Sequence, residues 1–290
     1  MIDPFHLKAL VAVAQTGTFE RAADVLGVTQ SAVSQRIRGL EDRLGAPVLV
    51  RGQPCVPTEI GARLIRHAQD VALMESATLR DIGQSSERPT VRIALNADSL
   101  ATWVLPGFAQ ADDMLFDIVI DDQDHSADWL RTGGVAAAIC SRAEPVHGCD
   151  VHTLGGLNYW ATASPDFAAR YFPDGLTEAR LRVAPSLTFN AKDRLQADFV
   201  QREIGKRIAL PVHHIASTEG FVSACCLGLG WGLNPVSLVR GHVEAGRLVT
   251  LSPDTLSTPL FWQVSRLVSE PLAALTQAIK AQARANLSRP

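Results

Sequence analysis

Residues 18–44 constrain this chain more than any other stretch. Ala22 and Ala23 are small enough to let two helices approach closely, and Gly27 supplies a turn where a positive φ costs least. Thr29 stands where an N-cap hydroxyl takes up an orphan backbone N–H. The helix after it carries Val33, Ile37, Leu40 and Leu44 on one face, the helical period of a buried stripe. Its opposite face opens with Gln30, Ser31, Ser34 and Gln35, then Arg36 and Arg38. Such a helix start is either a solvated polar face or a surface for base edges. Gln pairs with adenine N6/N7, Ser reaches phosphates or bases, and the recognition helix of a helix-turn-helix touches bases at its N-terminus.

The flanks agree with the second reading. Asp3-Pro4 is an N-cap followed by proline at the first helical position, with Leu7, Leu10, Val11 and Ala14 as a buried stripe and Gly17 as the stop. Residues 47–51 read as a short strand, 52–55 as a turn, and Val56-Pro57 as the return, a wing that carries Arg51 toward a duplex backbone. Thr58 caps a long helix expected to run to about Gly83, roughly 39 Å at 1.5 Å per residue. Leu64, Ala68, Val71, Ala72, Leu79 and Ile82 line one side of it, a pattern that pairs with a copy of itself.

Three helices, a wing and a long linker helix resemble the DNA-binding end of the LysR-type transcriptional regulators. The family pattern of paired alanines, then Gln-Ser-Ala-Val-Ser, then an Ile and a Leu-Glu pair is met by Ala22-Ala23, residues 30–34, Ile37 and Leu40-Glu41. The resemblance implies double-stranded DNA as partner, with Gln30, Ser31, Ser34, Gln35, Arg38, Arg51 and Thr58 as the contacting residues. It also implies a homodimer or homotetramer, with RNA polymerase as a further candidate partner.

Composition is that of an ordinary soluble globular protein, 47% hydrophobic and 20% charged. The net charge of −3 is unusual for a DNA binder until it is divided. Residues 1–66 hold eight basic and six acidic side chains, a surplus of +2 that leaves −5 for the remainder. So small a surplus binds DNA weakly in one copy, which again implies an oligomer. No apolar run is long enough to span a membrane, and no basic-then-apolar leader opens the chain, so a cytoplasmic protein is expected. Cys55, Cys140, Cys149, Cys225 and Cys226 lack metal-ligand spacing and read as reduced thiols.

The polar stretch 84–89 ends in proline and reads as a hinge. Beyond it, strands at 91–95, 117–120, 135–139, 187–189, 212–215 and 261–264 alternate with helices at 99–110, 128–132, 193–204 and 218–227, the pattern of an α/β domain. A helix carrying Leu272, Leu275 and Ile279 follows the last strand. This part is similar to the effector domain of LysR-type regulators, two lobes resembling a periplasmic solute-binding protein. The expected organisation is a winged helix-turn-helix domain at 1–57, a linker helix and hinge at 58–89, and an effector domain at 90–290. Its first lobe is expected near 90–163 and 265–290, and its second near 164–264.

Ligands in such folds sit in the crevice at the C-terminal ends of strands. Residues 96–103 follow the first strand and open a helix, with Ser99 and Thr102 as hydroxyl donors and Trp103 beside them. Asp121, Asp122 and Asp124 follow the next strand, while Asn190, Asp193, Thr218 and Glu219 come from the second lobe. Asp98, Ser99, Ser217 and Thr218 also suit plain helix caps, and residues 121–124 also suit a solvated turn. An anion subsite beside a carboxylate cluster describes a basic amino acid. Residues 96–106, 29–37 and Asp121-Asp122 resemble the ArgP/LysG subgroup, which controls lysine and arginine export. That resemblance implies lysine or arginine as effector, held by Ser99, Thr102, Trp103, Asp122, Asp124, Asn190, Thr218 and Glu219.

Neither catalysis, a cofactor nor a metal is expected. The glycines at 228, 230 and 232 lack dinucleotide-fingerprint spacing. His213-His214 would point to opposite faces of a strand, and Cys225-Cys226 suit packing on a helix. The other functions considered are a DNA-bending or nucleoid-type protein without an effector, and an enzyme with an accessory helix-turn-helix. For the linker helix, Val71→Asp should place an unpaired charge in the seam between copies and cost several kcal/mol of assembly. Light scattering checks this, and a variant of unchanged size contradicts it.

Overall fold

Side-chain caps set the N-terminal domain. Asp3 accepts a hydrogen bond from the Phe5 N–H, Thr18 from Arg21, Thr29 from Ala32 and Thr58 from Gly61, each taking an orphan donor at a helix start. These caps open α1 (Pro4–Thr16), α2 (Phe19–Leu26), α3 (Gln30–Leu44) and α4 (Glu59–Asp81). The wing, β1 (Leu49–Val50) and β2 (Val56–Pro57), lies between α3 and α4 and pairs antiparallel. Leu10, Val13, Ala22, Val33, Ile37 and Leu40 are completely buried where the first three helices meet. Gly61 lets α4 cross the wing, because a Cβ there would stand 2.0 Å from the Val48 carbonyl oxygen.

The computed structural model describes residues 2–84, 88–122 and 126–289. The hinge expected at 84–89 therefore lies partly outside the described residues, as does Asp124.

At 23 residues, α4 is roughly 35 Å long at 1.5 Å per residue. It belongs to two cores of its own chain. Leu64 and Ile65 pack against the N-terminal core, and Leu73 is buried in the large core. This qualifies the expectation of a single apolar seam, because Leu64 already has partners within the chain. The apolar period did not register the helix's other flank, where Asp70 and Ser76 are buried. Val71 and Leu79 are half-buried, and Ile82 is 64% exposed.

The larger C-terminal part begins with β3 (Thr90–Leu95), α5 (Ala97–Thr102), α6 (Leu105–Phe108), β4 (Leu115–Ile120), α7 (Ser126–Arg131) and β5 (Ala137–Cys140). A strand of 15 residues, β6 (Cys149–Ala163), leads to α8 (Pro165–Tyr171), α9 (Glu178–Leu181), β7 (Ser186–Thr188), α10 (Leu195–Ile204), β8 (Val212–His214), α11 (Thr218–Cys226), β9 (Gly232–Pro235), α12 (Val236–Glu244) and β10 (Val249–Thr250). The chain returns through β11 (Leu256–Ser265) and ends on α13 (Ala273–Asn286).

The main sheet has the order β10-β6-β11-β5-β3-β4, with β9 also on β6, and β7 pairs separately with β8. β3 is parallel to β4 and β5, whereas β6 and β11 run antiparallel from Cys149↔Ser265 to Tyr159↔Leu256. The ladder shifts register between Leu260 and Phe261, opposite Gly155 at φ 134°. Beyond that kink β6 takes β9 and β10 as further partners. Two long strands thus run from one lobe into the other, and the ends of strands and helices from both lobes face a common crevice. β6 ends at Ala163 and β11 at Ser265, and the change of partners occurs within these strands.

The single helix expected over 99–110 is instead two. α5 begins earlier, at Ala97, and ends at Thr102. α6 restarts at Leu105 with Pro106 in its first turn. Pro106 has no N–H for the Thr102 carbonyl four residues back, so the helical ladder breaks there.

Gly61→Ala should destabilise the N-terminal domain by about 1–3 kcal/mol through overpacking on the wing. Gly241→Ala on α12, whose added Cβ meets nothing within 4 Å, should not. Urea unfolding of both variants checks the contrast, and equal midpoints contradict it.

Candidate functional site

The N-terminal domain presents one polar helix face. Gln30, Ser31, Gln35 and Arg38 are exposed on α3, and Ser34 is half-buried. The Ser31 hydroxyl shares a 2.9 Å hydrogen bond with the Thr29 hydroxyl. Arg51 is exposed on the wing, 3.8 Å from Glu41. Thr58, expected both to cap α4 and to touch DNA, makes the cap. Its hydroxyl donates to the Pro47 carbonyl over 2.9 Å and accepts from the Gly61 N–H over 3.1 Å, tying the wing to α4. Arg36 places its guanidinium 5.5 Å from the centre of the Phe5 ring.

The second site is a narrow cleft between the lobes, with a cavity volume of about 50 Å³. Its wall contains Asp98 from α5, Asp121 and Asp122 after β4, Tyr159 from β6, Asn190 and Asp193 after β7, Gln196 from α10, Thr218 from α11 and Asn234 from β9. Asp98 bridges the lobes, accepting hydrogen bonds from the Tyr159 hydroxyl over 2.9 Å and the Thr218 hydroxyl over 3.0 Å. Burial raises its carboxyl to about 6 despite those hydrogen bonds, with Asp193 and Asp122 adding repulsion. The folded chain holds this proton more tightly than the unfolded one, so the contribution of Asp98 to stability falls as pH rises through about 6. Burial, followed by the charge of Asp98, pushes the Tyr159 hydroxyl up as well.

Asp121 titrates the other way. Partial burial pushes its carboxyl up, but hydrogen bonds from the Trp129 indole, the Lys192 ammonium and the Asp122 N–H outweigh that and hold it below the ordinary value. The Lys192 ammonium lies 3.0 Å from Asp121 and makes a second bridge between the lobes. Asp193 accepts 2.9 Å hydrogen bonds from the Phe189 and Leu195 N–H groups, and burial raises its carboxyl.

Of the residues expected at the cleft, Asp122, Asn190 and Thr218 lie on its wall. Ser99, Thr102, Trp103 and Glu219 do not. Ser99 is fully buried on the inner face of α5, Thr102 donates to the Asp98 carbonyl within the same helix, and Trp103 is part of the large core. Glu219 is exposed on the outer side of α11. A helix start two residues earlier than expected explains the first three. The helix starts at Ala97, so the cleft receives Asn96, Ala97 and Asp98 rather than the following turn. Tyr159, Gln196 and Asn234 were not anticipated, since they sit inside elements rather than at strand ends.

His213 and His214 are exposed on β8, and no cluster of metal-ligating side chains exists among the described residues. Cys225 packs into α11 with its thiol pushed up to about 12 by burial. No described helix is long and apolar enough to cross a membrane.

The geometry agrees with comparisons to known proteins. Residues 5–62 match the family model of bacterial regulatory helix-turn-helix proteins of the lysR family, and residues 84–287 match the LysR substrate binding domain. A transcriptional regulator of Pseudomonas aeruginosa, ArgP, is 44% identical over 100% of this chain and 98% of its own. The crystal structure of ArgP from Mycobacterium tuberculosis superposes with a TM-score of 0.84 at 42% identity, covering 100% of this chain and 99% of that one. Full-length LysG from Corynebacterium glutamicum, with arginine bound as effector, superposes with a TM-score of 0.70 at 35% identity, covering 99% and 100%. The chain belongs to the LysR family of bacterial transcription regulators.

For the DNA face, Gln30→Ala should cost about 1–3 kcal/mol on a specific site and less on random DNA. Arg51→Ala should weaken all sequences alike and reduce the salt slope by about one. Titrations of both variants on specific and random duplexes check this. Equal losses of Gln30→Ala on the two duplexes contradict base reading.

Proposed function

We propose that this LysR-family regulator senses a basic amino acid, arginine or lysine, in its interlobe cleft and controls a gene of transport, export or amino-acid metabolism. It acts as a cytoplasmic homo-oligomer on double-stranded DNA, without catalysis or a cofactor. The observation that supports this reading is the predominance of acceptors on the cleft wall. Asp98, Asp121, Asp122 and Asp193 contribute carboxylates. Three further wall residues, Asn96, Gln196 and Asn234, each bury a side-chain amide oxygen that has no hydrogen-bond partner.

A buried acceptor without a donor costs about 1–3 kcal/mol. A ligand relieves that cost only if it brings many N–H groups, and positive charge suits the carboxylates beside them. An ammonium brings three donors and a guanidinium five, with no acceptors. Lysine and arginine carry such a group at each end of the molecule. The arginine bound in the Corynebacterium glutamicum relative is of this class.

Calorimetric titration of the full chain with arginine, lysine and norleucine tests the proposal. Norleucine keeps the lysine carbon chain and lacks its distal cation. A charge-assisted hydrogen bond contributes about 1.5–3 kcal/mol, so Asp122→Asn should weaken arginine and lysine by roughly 10–150-fold. Norleucine should bind far more weakly than lysine. If it binds wild type as well as lysine does, the basic-amino-acid assignment fails.

A further inference from the structure

Asp121 lines the cleft, and the Trp129 indole holds it from behind, Nε1 donating to Oδ2 over 2.9 Å. Trp129 stands on α7, and the turn after that helix is locked to it. The Gly134 N–H donates to the Trp129 carbonyl over 2.7 Å. A Cβ on Gly134 would lie 2.8 Å from the indole ring. Ring and turn therefore cannot move independently. The carbonyls of Gly133 and Val135, on either side of that glycine, accept hydrogen bonds from the Arg66 guanidinium of α4. The Arg66 Nε also donates to Asp70 over 2.7 Å, and both side chains are nearly buried, 12% and 10% exposed.

Burying an arginine on a linker helix is costly unless its donors are satisfied. Here Asp70 and two carbonyls of the regulatory domain satisfy them. A few residues away on the same helix, Leu64 and Ile65 pack into the DNA-binding core. A packed chain of contacts thus runs from a cleft carboxylate to the helix that carries the DNA-binding domain. It includes no residue of the exposed α3 face.

We infer that the Trp129–Gly134–Arg66 contact couples the state of the cleft to the setting of α4, and hence to DNA affinity. The inference rests on the ligand reading proposed above. A cation that draws on Asp121 shifts the indole, the indole moves the turn at Gly133 and Gly134, and the two carbonyls change their fit to Arg66. Coupling of this kind is a free energy shared by two sites, and it is reciprocal.

The test measures DNA affinity of the full chain with and without saturating arginine, and arginine affinity with and without DNA. Two variants are compared with wild type. Arg66→Met with Asp70→Asn removes the guanidinium without leaving a buried unpaired carboxylate. Trp129→Phe keeps the ring against Gly134 and deletes the indole N–H. In wild type the two affinities should be coupled by roughly 5–150-fold, and in the Arg66/Asp70 variant the factor should fall to about one while each affinity alone stays within about twofold. Trp129→Phe should lower the same factor, and it decides the matter if the double variant does not fold. Variants that keep the wild-type factor overturn the inference, as does a wild type that binds arginine without any change in DNA affinity. A wild type that binds neither arginine nor lysine fails earlier, at the ligand reading.

Discussion

Asp98 stands on the first lobe and accepts hydrogen bonds from Tyr159 on the shared strand β6 and from Thr218 on the second lobe. This carboxylate ties the lobes together across the cleft, beside the strands β6 and β11 that run through both. A buried carboxylate is tolerated only when it is well hydrogen-bonded, and even then it keeps its proton up to about 6. Its neighbours Asp122 and Asp193 add repulsion, so the cleft wall lowers its own energy when a cation arrives. The Lys192–Asp121 pair at 3.0 Å supplies a cation from within the chain at one edge of the wall. Its ammonium is half-exposed, so that bridge contributes little beyond orientation.

The second structural theme is that α4 is shared. Its start packs on the helix-turn-helix core, its middle carries the buried Arg66–Asp70 pair, and Leu73 enters the regulatory core. A helix fixed at both ends by its own chain transmits displacement better than one joined only by loops. Val71 and Leu79 remain half-buried on α4 and are the residues proposed to meet a second copy.

Much of this was legible in the sequence wherever a local rule applies. The caps Asp3, Thr29 and Thr58 and the period of Val33, Ile37 and Leu40 mark helices without reference to the rest of the fold. Asp122 and Asn190 were legible because they follow strands, and Thr218 because it opens a helix. Ser99, Thr102 and Trp103 were misplaced because the helix begins two residues earlier than read and Pro106 interrupts it, which rotates the cleft-facing turn to Asn96–Asp98. Glu219 was misplaced because neighbouring residues on a helix start face different directions. Tyr159 and Asn234 were not legible. They lie within strands whose partners are more than 70 residues away, and only the pairing of β6 with β9 brings them to the cleft. Arg66 and Asp70 escaped for a similar reason, since an apolar period does not register a buried ion pair.

Under the proposed function, the cation of a basic amino acid meets the carboxylates of the cleft wall, Asp98 among them. A bound cation lowers the Asp98 pKa from about 6, so binding near that pH must expel a proton. The most direct measurement is calorimetry of arginine binding at pH 6 in two buffers of different ionisation heat. Release of about half a proton per site, affinity that rises with pH through about 6, and loss of both effects in Asp98→Asn are expected. Binding heats that do not depend on the buffer, with an affinity unchanged between pH 5 and 7, would contradict it.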